Sequence, residues 1–267
     1  MEESRFIAMI KRNPTMIENI KNPTDEMKLL AIKKNGLVLK YIDNPTEEMQ
    51  NLAIDNNVRS IQYIDNATEK MMIKAVNSGW SCLEIIENPT DKVIKAAINQ
   101  SGWAIQYIKN PSEELQLLAV KKNYDSIKYI QNPSESVQEE AVKISYDALK
   151  YIKSPSYNAQ IVAIKNNEAS IRFISDLDKD KMIELLKINI LVIKYISKEI
   201  CKDELEKVLK EVLAQDDVEE KYVRDFLQCS IVDRNSERLP MDKIMFVYKY
   251  GSKKAKKITV DEKLKMI

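Results

Sequence analysis

The chain repeats itself every 22 residues, and no other feature constrains its fold as strongly. Asn-Pro stands at Asn22-Pro23, Asn44-Pro45, Asn88-Pro89, Asn110-Pro111 and Asn132-Pro133. Asn66-Ala67 and Ser154-Pro155 fill the same slot, and Asp176 opens a degenerate ninth unit. An isoleucine column runs through Ile20, Ile42, Ile64, Ile86, Ile108, Ile130, Ile152, Ile174 and Ile196. Three residues before each, from Leu39 and Ile61 to Ile193, stands Leu or Ile, and Ala31, Ala53, Ala75, Ala97, Ala119, Ala141 and Ala163 form a third column. The register defines nine units, starting near residues 1, 22, 44, 66, 88, 110, 132, 154 and 176, the first of them truncated.

Each unit reads as two helices. The opening Asn22-Pro23-Thr24-Asp25 is a helix-start pattern, with Asn as N-cap, Pro at the first helical position and the acid completing a capping box. The first helix is expected over 23–33, with Met27, Leu30 and Ala31 on one face. It stops at Asn35-Gly36, a C-cap signal whose Asn recurs at Asn13, Asn57, Asn123, Asn167 and Asn189. A short second helix over 37–42 closes the unit. Neither helix buries its apolar face alone, so stacking of neighbours predicts an all-α solenoid of about nine helical hairpins over residues 1–197.

Residues 198–267 lose the period and are expected to form a helical capping segment. Helices are expected over 199–215 and 218–229, the second capped by Asp216-Asp217. The stretch 241–250 reads equally as helix or strand, 251–257 as a basic loop, and Thr259 with Glu262 as the capping box of a last short helix.

Composition closes many catalytic routes. The chain has no histidine, four scattered glycines and three cysteines far apart, at Cys82, Cys201 and Cys229. Histidine-dependent triads, HExxH zinc sites, glycine-rich phosphate loops and CxxC metal or redox motifs are all excluded. No metal and no cofactor are expected. No apolar run suits a membrane span and the N-terminus lacks a signal-peptide pattern, so a cytoplasmic location is expected, without membrane association.

Units such as NPTEEMQNLAIDNNVRSIQYID and NPSEELQLLAVKKNYDSIKYI resemble short α-helical repeats of uncharacterised bacteriophage and large-virus proteins. They are also similar to a repeat family of unknown function with an AVKxNGxALxYA-like pattern, nearest in AIKKNGLVLKYI, residues 31–42. The resemblance implies the fold and a phage or mobile-element origin; it carries no catalytic residues.

Function must then come from the columns that vary. On a helical wheel at about 100° per residue, the column containing Leu37, Arg59, Ser81, Trp103, Asp125, Asp147, Ala169 and Leu191 points away from the core. Leu37, Arg59, Trp103 and Leu191, with Trp80 one slot earlier, are the expected partner-binding residues. A second candidate is a cation–aromatic ladder, Lys128-Tyr129, Lys150-Tyr151, Arg172-Phe173 and Lys194-Tyr195, suited to tracking a nucleic-acid strand. Against it, residues 110–197 hold 12 Lys+Arg and 12 Asp+Glu, so no basic field surrounds it. The tail is locally basic, with six lysines and no acid from Lys243 to Lys257. Cys82 falls in a slot of small residues and reads as packing. The expected function is non-catalytic recognition of a protein partner, with blocking of a host factor as the role the phage resemblance implies. A nucleic-acid-binding solenoid is the alternative, and a histidine-free enzyme or small-ligand binder using carboxylates and tyrosines the third reading.

Overall fold

The computed structural model describes residues 2–264. The protein is all-α and solenoid-like, 71% helical, and among the described residues its only extended pairing is an isolated bridge between Asp233 and Pro240. The α-helices are α1 (Glu2–Arg12), α2 (Asp25–Lys34), α3 (Glu47–Asn56), α4 (Glu69–Ser78), α5 (Asp91–Gln100), α6 (Glu113–Lys122), α7 (Glu135–Ile144), α8 (Tyr157–Asn166) and α9 (Lys179–Ile188) in the repeats. The ninth unit closes with α10 (Ile193–Ile196), and after the repeats come α11 (Lys202–Leu213), α12 (Glu220–Gln228), α13 (Lys243–Tyr250) and α14 (Lys253–Leu264). The first unit is a complete hairpin rather than a truncated one, since α1 is followed by a helix over Pro14–Asn19.

The helix-start pattern works differently from its sequence reading. Asn22 is not the N-cap. The cap is Thr24, whose hydroxyl accepts from the Met27 N–H at 3.4 Å, so α2 begins at Asp25. Thr46, Thr68, Thr90, Ser112, Ser134 and Ser156 do the same in later units. Asn22, Asn44, Asn88, Asn110, Asn132 and Asp176 instead take left-handed backbone, with φ between 49° and 58°. Asn and Asp tolerate that region, and a following proline disfavours right-handed helix at the residue before it. The pair is therefore a turn that aims the chain into the next α-helix.

The second helix of the first eight units is 3-10, not α; in the ninth a 3-10 turn over Ile190–Val192 runs into α10. In the second unit it spans Gly36–Tyr41, and the Ile42 N–H bonds to the Leu39 carbonyl at 3.0 Å. Its start is set by the Asn35 side chain, which accepts from the Leu37 N–H at 3.0 Å. With about three residues per turn the helix has three edges. Gly36, Leu39 and Ile42 share one, Val38 and Tyr41 another, Leu37 and Lys40 the third. The first edge and Val38 are buried, and Tyr41 is half-buried.

That geometry corrects the wheel. The Leu37 column stands about 120° from the core edge rather than opposite it. Arg59 and Trp103 are exposed, but Leu37, Leu191, Ser81, Asp125 and Asp147 are half-buried, and Ala169 is buried. The apolar columns hold: all seven alanines from Ala31 to Ala163 are fully buried, and the isoleucines are buried except Ile108, which is half-buried. The alanines leave room for the preceding unit. A Cβ built on Gly36 would lie 2.4 Å from the Ala53 carbonyl oxygen, so the 3-10 helix and α3 meet backbone to backbone.

The chain forms two compact units, the first up to Val137 and the second from Gln138, with the division inside α7. In the first, α1 to α6 each pack on the next. In the second, α8 packs on α9, α9 on α11, and α13 on α11, α12 and α14.

The tail is helical, with different bounds. The ambiguous stretch is α13, capped by Asp242, which accepts from the Met245 N–H at 3.1 Å. The basic "loop" is the opening of α14, capped by Ser252 through the Ala255 N–H at 3.2 Å. Thr259 and Glu262 do not start a helix. Both are buried inside α14, where Thr259 donates to the Ala255 carbonyl and Glu262 accepts from Gln228 and pairs with Arg224. Asp216-Asp217 form a turn, and α12 starts only at Glu220. No helix among the described residues is long and apolar enough to cross a membrane.

Candidate recognition surface

In the first compact unit the 3-10 helices Val58–Tyr63, Trp80–Ile85, Gly102–Tyr107 and Tyr124–Tyr129 stack side by side. Stacking brings each residue beside its counterpart 22 positions on. Trp80 and Trp103 come together at 6.5 Å between ring centroids, edge to face, and Trp80 lies 6.1 Å from Tyr107. Both separations suit aromatic pairing.

The Trp103 indole is held from the next repeat. Its N–H donates to Asp125 at 2.8 Å, and the other Asp125 oxygen accepts from Lys128 at 3.1 Å. The Lys128 ammonium lies 5.5 Å from the Trp103 ring and 5.0 Å from the Tyr129 ring. Burial works against ionisation of Asp125, but the hydrogen bonds from Trp103 and Lys128 outweigh it and keep the carboxyl below its ordinary range. Burial, with the charge of Glu84, raises the Tyr107 phenol. The Cys82 thiol is raised by burial against the opposing charge of Arg59, which fits packing rather than nucleophilic chemistry.

The sequence-derived partner residues therefore divide. Trp80 and Trp103 form one cluster, and Trp103 is 38% exposed at its surface. Arg59 is exposed in the same compact unit. Leu37 is half-buried one unit before Arg59, and Leu191 is half-buried in the second compact unit. Tyr107 and Asp125 were missed as partners of the tryptophans. The signal was present, since Asp125 follows Trp103 by one repeat.

The cation–aromatic ladder forms, but its cations are occupied. In the first compact unit Lys128 serves Asp125. In the second, Lys150 lies 5.4 Å from the Tyr151 ring and 5.9 Å from Phe173, and Arg172 lies 5.5 Å from Tyr195. Lys150 pairs with Asp147 at 3.3 Å, Lys194 with Glu168 at 2.8 Å, and Arg172 donates to the Ala169 carbonyl. Among the described residues no group of three His, Cys, Asp or Glu side chains is placed to hold a metal ion.

Comparison with protein families, characterised proteins and solved structures finds no match to this chain.

Proposed function

We propose that the protein is a non-catalytic scaffold that recognises a protein partner through the Trp80–Trp103–Tyr107 cluster. The observation that carries this reading is the fixed, partly exposed Trp103 indole, oriented by Asp125 before any partner arrives. Trp is the side chain that most often anchors an interface, and an anchor already held in one rotamer costs less entropy to bind. Arg59 supplies a charged group in the same column two repeats before Trp103. The resemblance of the units to phage and large-virus repeats extends the reading to a protein that binds and blocks a host factor.

The ladder supports a nucleic-acid reading less well, because phosphates would have to displace carboxylates already paired with its lysines. Affinity capture with the whole chain separates the readings. A partner retained by the wild type should be lost with Trp103→Ala, a drop of about tenfold or more for an aromatic anchor. It should survive Lys150→Glu. Equal retention by wild type and Trp103→Ala places recognition elsewhere.

A further inference from the structure

The tail differs from the ladder in the state of its lysines. On α13, Met245 is 57% and Tyr248 71% exposed. Beside them runs a groove of about 470 Å³, lined by Met245, Phe246, Tyr248, Tyr250, Lys202 and Lys249 among others. The Lys210 and Lys249 ammoniums stand 4.6 and 5.0 Å from the Tyr250 ring, and Lys256 stands 5.9 Å from Tyr248. Hydrogen bonding to Lys249, with the charge of Lys210 adding, pulls the Tyr250 phenol below its ordinary value.

The carboxylates of the groove are already spent. Glu206 sits between Lys210 at 3.3 Å and Lys202 at 3.9 Å, and Asp242 pairs with Arg234. Lys249, Lys253, Lys256 and Lys257 pair with no acid among the described residues. The groove thus has an aromatic wall open to solvent, and the ammoniums of Lys249 and Lys256, neither in an ion pair among the described residues, stand beside its Tyr250 and Tyr248 rings. Such a site complements a polyanion that carries flat apolar faces.

We propose that this groove binds single-stranded nucleic acid, with a base stacked on the Tyr248 ring and the flanking phosphates on Lys249 and Lys256. A duplex keeps its base faces stacked and offers Tyr248 nothing to cover. A lipid surface is a poorer match, because the apolar side chains line a recess rather than one continuous face. The site is separate from the tryptophan cluster and does not depend on protein recognition there.

The test is fluorescence anisotropy of a labelled oligothymidylate titrated with the full chain over a range of salt. Two phosphate contacts predict a logarithmic salt slope of about −1.4. Tyr248→Ala should weaken binding by about tenfold, the loss of one stacked base, and Tyr248→Phe should restore it. Lys249→Glu with Lys256→Glu should abolish binding, whereas Lys150→Glu should not change it. These side chains are exposed, so the variants keep the fold, with circular dichroism as the check. Absence of binding, binding untouched by Tyr248→Ala, or loss with Lys150→Glu would each overturn the assignment. So would capture of phosphatidylserine vesicles in place of the oligonucleotide.

Discussion

Two glycine-to-alanine substitutions should move stability in opposite directions. Gly102 opens a 3-10 helix, and an added Cβ would stand 2.3 Å from the Ala119 carbonyl oxygen and 3.1 Å from the Asn123 nitrogen. Those are backbone atoms, so the 3-10 helix and α6 must separate by about 1 Å to restore van der Waals distance. The move also strains the hydrogen bond from the Gly102 N–H to Asn123 Oδ1, at 2.9 Å. Overpacking and the weakened bond outweigh the entropy gained by removing a glycine, leaving a net loss of about 2 kcal/mol. Gly79 is the control. Its φ is −161°, open to any residue, and its Cβ would meet Val58 and Cys82 at 3.7 and 3.8 Å, ordinary contact distances. Gly79→Ala should therefore stabilise by about 0.4–1 kcal/mol, through the unfolded chain alone. Urea unfolding of both variants, followed by far-ultraviolet circular dichroism, reads the two midpoints. If Gly102→Ala unfolds with the wild type, the backbone-to-backbone approach of the repeats is not as described. If Gly79→Ala is destabilised, the space at that position is occupied.

Glu204 caps α11 by accepting from the Cys201 N–H at 2.9 Å and faces Lys179 at 2.9 Å, and these two contacts lower its carboxyl from 4.5 to about 2. Since the folded value lies below the unfolded one, its contribution is complete above about pH 4.5 and disappears as pH falls towards 2. Glu204→Gln keeps an acceptor without the titration, so wild-type and variant stability should diverge above that window and converge below it; parallel curves would reject the assignment. Ser126 is fully buried with no partner for its hydroxyl among the described residues, in a slot that is alanine at Ala104 and Ala148. Ser126→Ala should stabilise by about 1 kcal/mol in chemical denaturation, while Ser170→Ala, which deletes a 2.7 Å bond to the Asn167 carbonyl, should destabilise by a similar amount. A loss of stability in Ser126→Ala would mean that this hydroxyl has a partner.

The repeat columns made most of the fold legible. A residue in a stacked repeat meets nearly the same surroundings in every unit, so the environment of one position is written along the whole chain. That is why Ala31 through Ala163 and the Leu39 column could be placed in the core from spacing alone, as the structure finds them. Local hydrogen bonding was harder to read. Asn22 and Thr24 are both good capping residues, and the left-handed turn at Asn22 decides between them. The 3-10 form of the second helix also came from tertiary structure. Six residues held between an extended Asn35 and an extended Ile42 reach about 12 Å as 3-10 helix but only about 9 Å as α-helix, so the fixed ends select the longer form. That choice rotated the Leu37 column partly into the protein and left Trp103 as its exposed aromatic. Beyond residue 197 no period exists to carry the contacts. Gln228 meets Glu262 across 34 residues and Arg238 meets the Lys198 carbonyl across 40, and nothing in the local pattern announces either pairing. Hydrophobic spacing sets which face of a helix is buried, but only the packed chain decides which distant side chains share that face.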